Sequence, residues 1–436
     1  MERIKADDLY AYRFLSEVAV APDGAHAAFV SRRARDDGKG YYACIHLLDT
    51  ATGAVRPLTG NGDEAAFRWL DSNTLIFPSC RTGDQPGKTA FYRLDIRGGE
   101  AEPAFTIPLS VKQFHPLPDG RWFVLTRRPM TPPEDLPADQ PQPGRDYTVF
   151  DELPFWADGL GMINGTRMSG WIFDPADGSV NQITPPTYDM EGAAVSPEGS
   201  RILYWGVSFE GIRPDYRQLM LYDLATGQTR SLVPDGKYRI TQVGWWGTDI
   251  WFEGGDPHTS VSRSPKLYLL NPATGDCRTF CAPDGFLGTS AIGDMSLGGG
   301  KVCAVQGDSL YAVRLQRDVT ALLRFDKAGN FAPVASYEGI ACFDIIGENA
   351  YLAAFRDHRP QELYRQPLSG GEPERLTQFH DAFLETRQIS RPEQPGRSGG
   401  GWLGHPPLRI RAGEEVSRRI EHSRRPQGSL RCPVLP

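Results

Sequence analysis

Asp49-Thr50-Ala51-Thr52-Gly53 sets an acidic residue four positions ahead of a glycine, and the same frame returns at Asp95 and Gly99, Asp174 and Gly178, Asp223 and Gly227, and Asn271 and Gly275. An Asx side chain bonds back onto the backbone of a tight turn and glycine supplies the positive φ that closes it, so each copy reads as a hairpin between two strands. Two looser copies follow, Asp326 with Gly329 and the Ser369-Gly370-Gly371 turn. The residue five beyond the glycine is apolar in six of the seven copies: Leu58, Ile183, Leu232, Phe280, Val334 and Leu376. A turn and a core position therefore recur in register.

Successive turn glycines lie 46, 79, 49, 48, 54 and 42 residues apart. The 47 glycines and 36 prolines leave room only for short segments. Those segments are apolar and rich in β-branched and aromatic residues: Ala27-Ala28-Phe29-Val30, Thr74-Leu75-Ile76-Phe77, Trp122-Phe123-Val124-Leu125, Ile202-Leu203-Tyr204-Trp205 and Asp249-Ile250-Trp251-Phe252. They read as strands. About four short strands per repeat of forty-odd residues is the pattern of a propeller blade, so the expected fold is an all-β, seven-bladed β-propeller around a channel. A pair of stacked β-sandwiches also uses short strands, but it does not require one turn to recur with one apolar position. A second marker, Pro22-Asp23-Gly24, returns as Pro118-Asp119-Gly120 and Pro197-Glu198-Gly199. The interval of 79 holds an insertion over 126–170, proline-rich at first and then aromatic and acidic through Phe150-Asp151-Glu152-Leu153-Pro154-Phe155-Trp156. Long loops on a rigid scaffold are where binding residues concentrate, although such a loop can also merely seal one face of the ring.

The 436 residues are 40% hydrophobic and 23% charged with a formal charge of −7, which argues against a duplex nucleic acid or an anionic membrane as partner. No apolar run approaches the roughly 20 residues that a membrane helix needs. The opening Met1-Glu2-Arg3-Ile4-Lys5 is charged where a secretory leader is apolar, so a cytoplasmic location is expected. The cysteines (Cys44, Cys80, Cys277, Cys281, Cys303, Cys342 and Cys432) are odd in number and scattered, unlike a disulfide framework. Cys277 and Cys281 lack a second ligand pair at zinc spacing, and neither a metal nor a cofactor is expected.

Ala6-Asp7-Asp8-Leu9-Tyr10, running through Phe14-Leu15-Ser16 to Val20-Ala21-Pro22-Asp23-Gly24, resembles the start of the prolyl oligopeptidase family of serine peptidases, especially its acylaminoacyl-peptidase branch. Leu153-Pro154-Phe155-Trp156 is similar to that branch too. The resemblance covers about residues 5 to 390. It implies a propeller that caps an α/β-hydrolase domain, limits access to peptides and helps hold the substrate's N-terminal end. It makes Glu152, Phe155 and Trp156 the candidate substrate-facing groups: the carboxylate for a free amine, the two aromatics as flat apolar area. The expected division is an N-terminal segment over 1–16, the propeller over 17–386 and a tail over 387–436.

The family's chemistry needs a Ser on a strand-to-helix elbow, a His base, an Asp to orient it and an oxyanion hole. Gly396-Arg397-Ser398-Gly399-Gly400 matches the elbow formally, but Arg391-Pro392-Glu393-Gln394-Pro395 is no buried strand and no amphipathic helix follows. The segment from Arg391 to Pro436 has nine Arg and no Lys, and half of it is Arg, Pro and Gly, a composition that suits a disordered tail. A reading-frame slip near Gln394 offers a sharper account. Read one base later, codons for Gly399–Pro406 can spell Glu-Val-Asp-Gly-Trp-Val-Ile-Arg, a plausible hydrolase strand. Those for Glu421–Gln427 can spell Asn-Ile-His-Gly-Gly-Pro-Lys, which is similar to the family's oxyanion-hole strand. The expected function is the substrate-gating propeller of such a peptidase without its catalytic half, inactive alone, with the hydrolase domain or a second copy as partner through an exposed docking face. A free-standing propeller scaffold for protein interactions is the alternative. A metal-dependent lactonase or lyase is disfavoured, because the histidines recur at no common blade position.

Overall fold

The computed structural model describes residues 2–3, 5–83, 85–131, 149–260, 263–290 and 295–388. These form seven four-stranded antiparallel sheets, each built from strands consecutive within its stretch of chain. Blade 1 comprises Phe14–Val20, His26–Ala34, Tyr41–Asp49 and Val55–Pro57, and blade 2 Arg68–Trp69, Thr74–Pro78, Thr89–Asp95 and Glu102–Ile107. Blade 3 comprises Val111–Pro116, Trp122–Pro129, Thr166–Phe173 and Val180–Gln182, and blade 4 Tyr188–Val195, Arg201–Ser208, Gln218–Asp223 and Thr229–Ser231. Blade 5 runs through Arg239–Trp246, Asp249–Gly255, Lys266–Leu270 and Cys277–Cys281, and blade 6 through Cys303–Gln306, Ser309–Gln316, Val319–Asp326 and Phe331–Tyr337. Blade 7 is Gly339–Ile346, Asn349–Phe355, Glu362–Pro367 and Glu374–Arg375. The expected seven-bladed all-β ring is therefore the fold.

Each apolar run quoted above falls on the second strand of a blade. That strand is covered on both faces by the neighbouring blades, which is why its sequence is continuously apolar instead of alternating. Phe29, Phe77, Phe123 and Phe252 are all 0% exposed, and each such ring withdrawn from water contributes about 1.5–3 kcal/mol. The core is accordingly divided by seam. One apolar cluster joins blades 1 and 2, and others join 2 and 3, 3 and 4, 4 and 5, 5 and 6, 6 and 7, and 7 and 1.

The recurring turn joins the third and outermost strands. Gly53, Gly178, Gly227 and Gly275 each donate N–H to the carbonyl of the Asp or Asn four residues back at 2.9 Å. The side-chain oxygens of Asp49, Asp223 and Asn271 accept the next two free amides. Blade 2 departs from this frame, with Gly98 instead of Gly99 closing onto Asp95 at 3.3 Å. The apolar residue that follows bonds back across the outer hairpin, Leu58 to Ile45, Ile183 to Gly170, Leu232 to Leu219 and Leu376 to Leu363.

Antiparallel order divides the loops between two faces. Turns between first and second strands and between third and fourth strands lie on one face, here the turn face. Loops between second and third strands, and all connections from blade to blade, lie on the other. The N-terminal 3-10 helix Ala6–Ala11 and the α-helix Asp381–Thr386 adjoin that second face, so it is the exit face.

Several boundaries shift. The first strand begins at Phe14, inside the segment assigned to 1–16. Thr126 pairs with Ser169 and Pro129 with Thr166, so the inserted segment proper is 130–165 instead of 126–170. Arg387 and Gln388 pair in parallel with Glu2 and Arg3, which joins the start of the expected tail to the ring. The Gly396 elbow, the Gln394 frame slip and the rest of the tail lie outside the described residues, as do the prolines from Pro132 to Pro143. Among the described residues no helix is long and apolar enough to cross a membrane.

Glu253, on the second strand of blade 5, is 0% exposed. Its carboxyl accepts the Thr241 hydroxyl and the amide of Leu287 at 2.8 Å. Burial pushes its pKa up to about 7. The folded protein thus keeps a proton that the unfolded chain releases above the ordinary carboxylate range, so stability falls as pH rises through that window and is flat beyond about 7. Burial acts oppositely on the imidazoles of His46 and His115, held down to about 4 and about 3, whose contribution is lost as pH falls. Glu253→Gln should isolate the first effect. The urea midpoint of the variant relative to the natural chain should climb between pH 4.5 and 7 and then level off, roughly in step with the ionisation that wild type cannot avoid.

Candidate functional site

The inserted segment leaves the second strand of blade 3 on the exit face and is drawn closed by the amide of Met130 donating to Gly165 O at 2.9 Å. Asn164 organises its interior. Its side-chain oxygen accepts the amides of Asp151 and Glu152 at 3.2 and 3.1 Å, while its amide nitrogen donates to Asp151 Oδ1 at 3.0 Å. A small hairpin pairs Trp156–Ala157 with Gly161–Met162, and Ile163 donates to Phe155 O at 2.9 Å.

Glu152 does not present its carboxylate to the surface. It is 6% exposed and paired with Arg167, itself 1% exposed on the third strand of blade 3. The guanidinium meets both carboxylate oxygens, Nη2 to Oε1 at 2.5 Å and Nη1 to Oε2 at 3.0 Å, and Oε2 also accepts the Gly165 amide at 2.8 Å. Arg167 continues into blade 4, donating to Thr187 O at 3.1 Å and Phe209 O at 2.7 Å with its plane 3.8 Å from the Phe209 ring. Buried and holding three hydrogen bonds, this carboxylate fixes the loop in place, and it does not stand at the surface where a substrate amine would meet it.

Phe155 and Trp156 do face outward. They belong to an apolar surface with Phe150, Leu153, Met162 and Ile212, and the rings of Phe150 and Phe155 lie 4.6 Å apart. Eight of the fifteen exposed large apolar side chains among the described residues fall in this one region. Such concentration departs from the scattered single residues that are the norm. Ile212 comes from blade 4, whose loop between second and third strands is stitched to the insertion by Leu153 N to Gly211 O and Arg213 N to Leu153 O, both 2.9 Å.

Beneath the surface, charges from blades 3 and 4 interlock. Asp189 lies 3.5 Å from Arg127 and 3.7 Å from Arg213, and Glu191 binds Arg213 and Arg217. Sequence reasoning missed Arg167, Arg213 and Ile212. A legible signal existed for the last two, because Phe209-Glu210-Gly211-Ile212-Arg213 is another apolar loop between strands. Nothing in Thr166–Phe173 marks its arginine as buried. Among the described residues no group of His, Cys, Asp and Glu is arranged to hold a metal.

No protein-family model matches the chain. It is 25% identical over 429 residues to the uncharacterised peptidase YuxL of Bacillus subtilis, which covers 92% of this chain and 64% of that protein. An acylaminoacyl peptidase solved with Z-Gly-Gly-Phe-chloromethyl ketone superposes with a TM-score of 0.65 at 16% identity, over 87% of this chain and 55% of that one. The β-propeller domain of the trilobed protease from Pyrococcus furiosus, described as having an open velcro topology, superposes with a TM-score of 0.54 at 15% identity, over 85% of this chain and 99% of that domain. The chain thus spans less than two thirds of the first two proteins, and the solved structures share its fold. The resemblance to the propeller portion of prolyl-oligopeptidase-family peptidases, drawn from the first 24 residues and from Leu153 to Trp156, holds around the ring.

Removing one partner of a buried ion pair strands the other charge, so Arg167→Met should destabilise the chain by about 3–5 kcal/mol. Phe155→Ala and Trp156→Ala, on the surface, should stay within about 0.5 kcal/mol. Urea unfolding midpoints compare the three directly.

Proposed function

We propose that this chain is the substrate-gating propeller of a serine peptidase of the prolyl oligopeptidase type, and that the ring by itself does not hydrolyse peptides. The observation that carries the reading is the placement of the apolar insertion on the face where the polypeptide leaves the ring. A domain continuing from Gln388 begins on the same face as Phe155 and Trp156. In that arrangement the two aromatics offer flat apolar area to peptide side chains beside the reaction centre, and Glu152 with Arg167 fixes their position. The matched part of the longer relatives supports the same assignment. Peptides are then the substrates, a hydrolase domain is the partner on the exit face, and the cytosol suits the free thiols of Cys44, Cys277, Cys281, Cys303 and Cys342.

Purified chain incubated with acyl-alanyl and aminoacyl anilides should release no anilide above the buffer rate. Turnover abolished by a serine-directed phosphonate would overturn the reading. With the apolar surface uncovered, sedimentation should also show concentration-dependent self-association, relieved in the double variant Phe155→Ser with Trp156→Ser.

A further inference from the structure

Six of the seven seams join blades consecutive in the chain, so a connecting segment ties the two blades covalently on the exit face. The seam between blades 7 and 1 has no such connection, and no blade borrows a strand from the other end of the chain to close the ring. We propose that a strap from elsewhere, Ser296 to Lys301 in the link between blades 5 and 6, staples this seam, beside the apolar cluster that blades 7 and 1 share and the pairing of Glu2–Arg3 with Arg387–Gln388.

The strap reaches past blade 7 to blade 1. Glu17, turned to a φ of +55°, directs its amide out of the blade 1 sheet and donates to Gly299 O at 2.9 Å. Arg32 of blade 1 donates to Leu297 O at 3.3 Å. On the other side Phe343 of blade 7 donates to Lys301 O at 2.9 Å. Two blade 7 side chains then bind blade 1 and the strap together. Asp344 accepts the Val20 amide at 3.0 Å on one oxygen and Lys301 Nζ at 2.8 Å on the other. Gln361 accepts the Leu15 amide at 2.8 Å and donates to Ser296 Oγ at 3.3 Å. Leu297 packs on Tyr12 and Phe14 from one side of the seam and on Phe355 from the other.

The passage is too narrow for side chains. A Cβ on Gly300 would stand 2.5 Å from Cys342 Cβ, at a φ of +145° that other residues rarely adopt. The run Gly298-Gly299-Gly300 is thus what lets the backbone lie against both inner strands. A staple made of a few hydrogen bonds and one leucine is weaker than a covalent link, so loosening the strap should be felt locally at this seam.

Amide hydrogen exchange on the full chain tests this with two variants. Lys301→Ala removes a half-exposed side chain that does not touch Val20, and Gly300→Ala pushes the strap off Cys342. Each should speed exchange at Glu17, Val20 and Phe343 by about tenfold while the inner strands of blades 3, 4 and 5 keep their protection. Unchanged exchange at the seam in both variants, or an equal rise in every blade, would overturn the proposal. Should Gly300→Ala fail to fold, the surface variant Lys301→Ala still decides between these outcomes.

Discussion

The structure depends on a geometric constraint: a four-stranded sheet whose second strand is apolar on both faces is stable only with a neighbour on each side. A blade at either end of a row would leave one face of Leu75-Ile76-Phe77 or its counterpart in water, so the row must bend until it meets itself. Closure is the condition under which all seven clusters are buried, and the chain meets it without either terminal blade taking a strand from the other end of the chain. Consequently the two terminal blades are held by side chains and by segments that pass over them, and the charged and polar groups gathered there, Asp344, Gln361, Glu362 and His380, bridge the chain's start to its end. Arg13 donates its amide to His380 Nε2 at 2.9 Å, while the other ring nitrogen lies 3.0 Å from Glu362 Oε1. That arrangement makes Nδ1 the proton-bearing nitrogen.

The same antiparallel order separates the short loops from the long ones. Asx turns crowd the turn face and leave it little but short loops. The exit face receives every loop that has length to spare, and the two longest excursions from the ring, the insertion of blade 3 and the link between blades 5 and 6, both lie there. One carries an exposed apolar surface and the other spans the seam. They differ in their anchors: the first is fixed by a buried ion pair beneath its own base, whereas the second is held near its start by Leu287 N to Glu253 and Gly288 N to Val313 O, and again where it lands on blades 7 and 1.

Fold legibility came from two periodic signals that are local. A turn that closes on its own Asp or Asn needs no information from elsewhere, and a strand covered on both faces writes its burial into consecutive residues such as Ile250-Trp251-Phe252. The insertion was legible as an interval of 79. The interval of 54 between Gly275 and Gly329 carried a smaller surplus, together with the three adjacent glycines of the strap, and only the contact with Glu17 gives that surplus meaning. The site was less legible. Phe155 and Trp156 stand exposed as their composition suggested, but the partner of Glu152 lies fifteen residues away on a strand whose pattern is otherwise apolar. Pairing across a loop and between blades is a tertiary fact that no periodicity encodes.

A buried Glu and Arg are an expensive way to fix a loop, because apolar residues of like volume often stabilise as well or better. What the pair adds is direction. Arg167 has five donors in one plane, and it uses them on the insertion, on Thr187 and on Phe209, so the loop is fixed in position relative to two blades at once. An apolar anchor would tolerate sliding. Sliding would matter little for a plug, but it would matter for a surface whose aromatic side chains must meet a second body at a fixed distance from the ring. The combination of a rigid polar base with an uncovered apolar crown therefore fits an insertion built to be covered, and it fits poorly with one that only seals the channel.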